Sequence, residues 1–215
     1  MGRFRHAGSA AIMGFALSLA SAPCAQAAVV ISDNFAGAPE ANWPGDGIFK
    51  SIPQPGDVQG SPSVDLVGAS NFPDLVAGLP TGVNAVDLGG TTGSGGRPAG
   101  ELRSVRYLAP GDYSVQFLLA GNPRGDAPDT TEVCIGGSCQ LITPAKDQPY
   151  TLYNLTFTNA SGPVRFIERG PSGQIGNLLA NVVVTAPDPN LSKILLSFAA
   201  MSALLITVRY RGLLI

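Results

Sequence analysis

Apolar and polar residues alternate most cleanly along Tyr113, Val115, Phe117 and Leu119, with Ser114 and Gln116 between them. A period of two puts the apolar side chains on one face of a strand and the polar ones on the other. Tyr153, Leu155 and Phe157 repeat that period against Asn154 and Thr156. Other short apolar-rich runs, punctuated by Gly, Pro, Asn and Asp, predict further strands. In chain order the predicted strands are Val29 to Ser32, Ser63 to Val67, Ala85 to Leu88, Glu101 to Leu108, Asp112 to Ala120, Thr131 to Ile135, Ser138 to Thr143, Tyr150 to Asn159, Val164 to Glu168 and Leu178 to Thr185. Away from the two chain ends no window carries a helical stripe. Many short strands joined by turns predict an all-β fold, a single β-sandwich or jelly roll over residues 28–187. Ala36 to Gly60 and Gly89 to Gly100, rich in Gly and Pro, are expected as long surface loops. Val64-Asp65-Leu66 and Val86-Asp87-Leu88 echo each other, but each reads more simply as a strand running into glycine than as a repeat.

The chain ends have a different pattern. Arg3, Arg5 and His6 precede an apolar run from Ala7 to Ala22, and Ala25-Gln26-Ala27 has the small-x-small form of a cleavage site. Residues 1–27 therefore read as a signal peptide; the run is short and weakly apolar for a first membrane helix. Leu191 to Val208 is apolar on every side and is followed by Arg209-Tyr210-Arg211. At 1.5 Å per residue that run reaches about 27 Å, enough for the hydrocarbon layer. Pro187 and Pro189 separate it from the domain, which argues against a buried terminal helix. Residues 188–215 are thus expected to be a transmembrane anchor, with the arginines in the cytoplasm and the domain on the periplasmic or extracellular side.

Charge sorts by region. All 15 acidic residues fall between Ala28 and Asn190 with only eight basic ones, so this region is near −7 although the whole chain is −2. A surface of that sign repels phosphate backbones and excludes nucleic acid as a natural partner.

Pro187-Asp188-Pro189, the helix Leu191 to Val208, and Arg209 with Arg211 resemble, in order, the three parts of a bacterial Pro-Glu-Pro C-terminal sorting signal (PEP-CTERM). Aspartate stands in place of the motif's glutamate, and Gly212-Leu213-Leu214-Ile215 trails the basic pair. The resemblance implies surface sorting and a membrane transpeptidase, exosortase, as a partner. Ser63 to Gly68, Ala85 to Gly90, Gly111 to Asn122 and Gly176 to Val184 together look like the galactose-binding-like jelly-roll domains of bacterial surface and plant cell-wall proteins. That resemblance covers most of Asp33 to Thr185 and implies binding of carbohydrate or extracellular matrix.

Three cysteines remain to be placed. Cys24 falls in the predicted signal peptide, and Pro23 stands where a lipoprotein signal would need a small residue. Cys134 and Cys139 flank Ile135-Gly136-Gly137-Ser138. Gly-Gly is a two-residue hairpin turn, so Ile135 is expected to pair Ser138 and Cys134 to face Cys139 at a non-hydrogen-bonded position, where side chains are closest. With export to an oxidising compartment this predicts a disulfide. A metal site would need two further ligands, and a redox site a C-x-x-C.

The sole histidine is His6, which leaves with the signal peptide, so the mature chain has no histidine for a catalytic triad or a zinc site. Gly93-Ser94-Gly95-Gly96 lacks the lysine of a phosphate loop. Gly170-Pro171-Ser172-Gly173 is not a nucleophile elbow. A two-carboxylate glycosidase is the enzyme class left, with Glu40, Glu101, Glu132 and Glu168 as candidates, each more simply read as surface charge. Asn122, Asp126 and Asp129 are weighed as a calcium site against a turn. Trp43 is weighed as a sugar-stacking platform against a loop ring tucked onto the sandwich. The expectation is an anchored, non-catalytic domain without a cofactor that binds carbohydrate or matrix. A structural or adhesive protein without a small ligand is the alternative.

Overall fold

The computed structural model describes residues 27–41, 43–52, 64–90, 100–170 and 175–187. The predicted anchor 188–215, and all but the last residue of the predicted signal peptide, lie outside the described residues. Among the described residues no helix is long and apolar enough to cross a membrane.

Nine strands form one antiparallel network: β1 Ala28–Asp33, β2 Phe49–Ile52, β3 Asp65–Val67, β4 Ala85–Asp87, β5 Glu101–Ala120, β6 Thr131–Ile135, β7 Ser138–Ile142, β8 Thr151–Glu168 and β9 Leu178–Ala186. The order runs β3-β4-β9-β5-β8-β6-β7, with β1 paired to β9 and β2 to β5. The first strand meets the end of the last, Ala28 facing Ala186.

β5 and β8 stay paired along nearly their whole length but change partners on the way. Glu101 to Ser104 of β5 pairs with β2, whereas Ser114 to Ala120 pairs with β9. Between those stretches the β5–β8 register shifts three times, around Tyr107, Leu108, Gly111 and Tyr113. Each shift bends the strand. On β8 the bend coincides with left-handed backbone at Asn159 (φ 49°) and Gly162 (φ 117°). The sheet thereby folds over itself, and Phe117 of the β5 half on β9 meets Phe166 at the other end of β8, ring centroids 5.2 Å apart. The arrangement is all-β and consistent with a β-sandwich.

Two expectations about elements need correction. Glu101 to Leu108 and Asp112 to Ala120 are one strand, as are Tyr150 to Asn159 and Val164 to Glu168, because bulges absorb the turn residues between them. The Asp112 carboxylate accepts the Asn159 N–H (2.8 Å) and the Tyr113 hydroxyl donates to the Ala109 carbonyl (2.7 Å), which hold the two bends together. β2 was expected to be loop. Its four residues are too short a run to stand out, yet Phe49 is fully buried against β5.

The inward face of β5 is as the alternation predicts: Val115, Phe117 and Leu119 are buried and Gln116 is exposed. Aromatic rings run through the core as a chain, from Trp43 to Phe35, Phe49, Phe166, Phe117 and Tyr153, with neighbouring centroids 5.2–6.1 Å apart. The echoing segments are hairpin partners, Asp65 facing Asp87 and Leu66 facing Val86. β6 and β7 pair with Ile135 opposite Ser138 and Cys134 opposite Cys139. The two cysteines are joined as a disulfide, Cα to Cα 4.1 Å. Gly136 takes φ 57° at the first turn position, where a β-carbon would also strike the Ser161 carbonyl.

Candidate functional site

At one end of the folded sheet, loops carry polar side chains around a cleft of about 200 Å³. One wall is the 3-10 turn Pro73–Val76, which presents Asp74. It forms because Pro73 presets the first helical φ and the Leu75 N–H finds the Phe72 carbonyl at 3.0 Å. The facing wall is the loop leading into β8, with Asp147, Gln148 and Tyr150, while Gly121 and Leu178 close the base.

The walls are tied together. The Tyr150 hydroxyl donates to the Leu75 carbonyl at 2.7 Å, the Gln148 amide donates to the Tyr153 hydroxyl at 2.8 Å, and the Gly121 N–H donates to the Gln148 carbonyl at 3.1 Å. Burial, reinforced by the nearby negative Asp87, pushes the Tyr150 phenol well above its ordinary range, so it stays a donor at all physiological pH. A β-carbon on Gly121 would collide with the Ala145 carbonyl, so only glycine lets these segments approach. Beside the cleft the half-exposed Phe72 ring carries the Arg124 guanidinium 5.1 Å from its centroid.

Arg124 leads to a buried polar layer beneath. Its guanidinium pairs with the Asp87 carboxylate, which also accepts the Gly89 (3.0 Å), Gly176 (2.9 Å) and Asn122 (3.1 Å) N–H groups. Burial raises the Asp87 carboxyl to about 6, against the lowering pull of those backbone donors and of Arg124. Glu168 is a second clamp. It accepts N–H groups from Arg169 (3.1 Å), Gly170 (3.0 Å) and Asn177 (3.2 Å). Burial raises it to about 7; the Asn177 donor opposes this and the charge of Asp129 adds to it. Burial raises Asp129 as well. These carboxylates hold the segment entering β9 onto β4 and β8 rather than facing solvent.

The candidate glutamates therefore divide. Glu40 is exposed, and the half-buried Glu132 pairs with Arg169 at 2.6 Å, as surface charges do. Glu101 and Glu168 are 5% and 4% exposed, which overturns the surface reading for both. Burial pushes Glu101 up, but Arg165 and Arg103 outweigh it and hold the carboxyl below its usual range. None of the four lines the cleft. Asn122 is committed to Asp87 and to the Gly176 carbonyl (3.0 Å), and it opens a turn closed by the Gly125 N–H at 2.9 Å. Asp126 is exposed and Asp129 buried. The turn reading fits this stretch. Trp43 is 5% exposed and packs edge-on against Phe35, as the tucked reading has it, so it offers no stacking platform. Glu132 lies close to Cys134 and Cys139, but both sulfurs are spent in the disulfide and cannot ligate a metal.

A larger apolar groove of about 380 Å³ runs between β1 and β5, lined by Val30, Ile31, Ile48, Val105 and Arg106. Arg106 is tied there to the Val30 carbonyl at 2.7 Å. Size alone favours this groove. The smaller cleft has the convergent polar groups that fix a hydrophilic ligand.

Comparison with known proteins gives distant structural likenesses only. No protein-family model matches the chain, and no curated protein does either. The K1 cleaved adhesin domain of Lys-gingipain from Porphyromonas gingivalis is similar at 14% identity and TM-score 0.49, over 73% of this chain and 97% of that one. The carbohydrate-binding module and catalytic module of xylanase 10B from Clostridium thermocellum, solved with xylohexaose, are similar at 10% identity and TM-score 0.44, over 74% of this chain and 28% of that one. A carbohydrate-binding module of lichenase 5A from Cellvibrio mixtus, solved with cellotriose, is similar at 12% identity and TM-score 0.36, over 63% of this chain and 95% of that one.

Asp74, Asp147 and Gln148 were not singled out in the sequence. Each sits in an ordinary turn context within two residues of a proline, and only the meeting of two distant loops brings them to one cleft. Asp87 did leave a trace, as an acid inside the apolar run Val86 to Leu88.

Proposed function

We propose that this domain is a non-catalytic carbohydrate-binding module that holds a sugar residue in the cleft between Asp74 and Asp147. The carrying observation is that Asp74, Asp147, Gln148 and Tyr150 line one open concavity. Neighbouring sugar hydroxyls donate and accept together, and carboxylates and amides match them with paired, charge-assisted hydrogen bonds. A space of about 200 Å³ suits one sugar ring rather than a long chain bound along a groove. The domain is read as a galactose-binding-like jelly roll, exported and held at the membrane by residues 188–215. That placement, with sorting through exosortase, rests on the sequence patterns of the two ends.

A glycan array probed with the purified chain tests the reading. Binding to a defined set of glycans is expected, and Asp74→Ala together with Asp147→Ala should abolish it while the circular dichroism stays unchanged. Undiminished binding by that double variant would move the site elsewhere. The apolar groove, with Val29, Ile48, Val105 and Tyr107 exposed in the segments around it, favours a second reading as an adhesive protein that contacts other proteins. An array without hits supports that one.

A further inference from the structure

Apolar side chains are left uncovered at the corner of the sheet where its last strand ends. Among the described residues seven large apolar side chains are exposed, and four of them, Val29, Ile48, Val105 and Tyr107, gather here. Ile48 and Val105 line the groove between β1 and β5, Val29 precedes its wall at Val30, and Tyr107 follows its wall at Arg106. Val29 and Tyr107 are 61% and 69% exposed. The corner is held in shape by the Val105 N–H, which donates to the Ile48 carbonyl at 2.8 Å, and by the tie from Arg106 to Val30. Apolar side chains gathered in this way mark a contact surface.

The exit of the chain indicates what that surface meets. Ala28 faces Ala186, so Val29 and Val30 lie within about 7 Å along β1 of the end of β9. Four residues, Pro187 to Asn190, then separate Ala186 from the apolar run that begins at Leu191. Fully extended, that link reaches no more than about 18 Å. With residues 188–215 as the anchor, this corner is kept close to the bilayer. A tyrosine ring settles at headgroup depth, and Arg106 and the exposed Lys50 bring positive charge toward lipid phosphates. The exposed Asp46 beside them opposes this, but its Oδ1 is already taken by the Ile48 (2.9 Å) and Phe49 (3.1 Å) N–H groups.

We propose that Val29, Ile48, Val105 and Tyr107 lie against the lipid headgroups of the membrane that holds the anchor. The proposal rests on the anchor reading of residues 188–215 and is independent of the sugar cleft. Four side chains would hold a free protein to a membrane only weakly; the tether makes the contact intramolecular. The contact would also fix how the domain stands. Leu178, at the start of β9, closes the base of the cleft, and Ala186 ends the same strand about 26 Å away. The cleft is then held on the side facing away from the bilayer.

Reconstitution of the full chain into vesicles of phosphatidylcholine and phosphatidylglycerol tests this. Tyr107→Trp places a reporter in the patch, and Leu141→Trp places one on β7, four strand pairings across the sheet from β2. Lipids brominated near the headgroup should quench Tyr107→Trp several-fold more than Leu141→Trp, over the common signal of the buried Trp43. Tethering alone brings the corner close, so Val29→Asp with Val105→Asp in the Tyr107→Trp chain separates contact from proximity. Both positions are exposed, so the charges leave the core untouched. They should bring the quenching down to the Leu141→Trp level while the circular dichroism stays unchanged. Undiminished quenching in the charged variant, or equal quenching at the two reporter positions, overturns the docking while the anchor reading stands. Equal quenching with Tyr107→Trp emission moving to the blue as protein density rises would assign the patch to a second copy instead. Chains that do not float with the vesicles overturn the anchor reading, and the docking with it.

Discussion

Phe117 and Phe166 meet edge to face, at 78° between ring planes, although they belong to opposite ends of the folded sheet. Phe117 pairs along the ladder with Tyr153, and Phe166 pairs with Leu102. The contact between the two rings is therefore made across the core and exists only because β5 and β8 bend.

Phe117→Ala should cost about 3–5 kcal/mol, since it opens a cavity at the point where the two halves touch. Gln116→Ala, one position along on the exposed face, should cost about 0.5 kcal/mol or less. Urea denaturation of the two variants compares them directly. A larger loss for Gln116→Ala would mean that the strand is turned the other way.

Reducing the Cys134–Cys139 bridge should change stability little. The cysteines are five residues apart, so the bond removes little freedom from the unfolded chain, and the expected loss lies at the low end of about 0–5 kcal/mol. Mass spectrometry of non-reduced protein should show no free thiol at either position. Two free thiols there would remove the bridge.

Acidity should stabilise the domain down to a limit. Asp33, Asp87 and Glu168 have folded values of about 7, 6 and 7, above their ordinary 3.8, 3.8 and 4.5. The folded state thus binds more protons between pH 4 and 7, and these groups contribute stability below their ordinary values that is lost as pH rises through 6 to 7. Glu101 works the other way; its contribution is present above 4.5 and lost below that, as pH falls through its lowered value. The thermal midpoint should therefore fall steadily from about pH 4 toward pH 7.5, because three raised carboxyls outweigh the one lowered one. Glu168→Gln should flatten that fall. A midpoint that climbs steadily to pH 7.5 would contradict the buried-acid assignment.

Tyr150→Phe removes the one hydroxyl that ties the β8 loop to the Leu75 carbonyl. A loss of about 1 kcal/mol is expected, with weaker glycan binding than the stability change alone explains. Equal binding by Tyr150→Phe would show that the cleft does not depend on this tie.

What the sequence made legible is whatever depends on neighbours along one strand. The two-residue period placed Phe117 inward and Gln116 outward, and the turn Gly136-Gly137 placed Cys134 opposite Cys139. What it hid depends on distant segments. Nothing local distinguishes Phe49 of β2 from a loop aromatic; it becomes core only when Phe35 and Phe166 close around it. Glu168 resembles any surface glutamate until Asn177 and Gly170 turn their N–H groups onto it. Asp74 and Asp147 lie 73 positions apart, and they share a cleft only because the Pro73–Val76 turn and the loop into β8 meet at the end of β5.

The pairing of Ala28 with Ala186 has a mechanical consequence. With both ends of the described chain at the same corner, tension between them would peel β1 from β9 one ladder bond at a time, instead of loading all the bonds in shear. Strung in series under load, such a unit would yield early. Suspended from one of its ends it carries no tension across that seam, and whatever pulls on the loop cleft is resisted by the long ladder of β5 and β8.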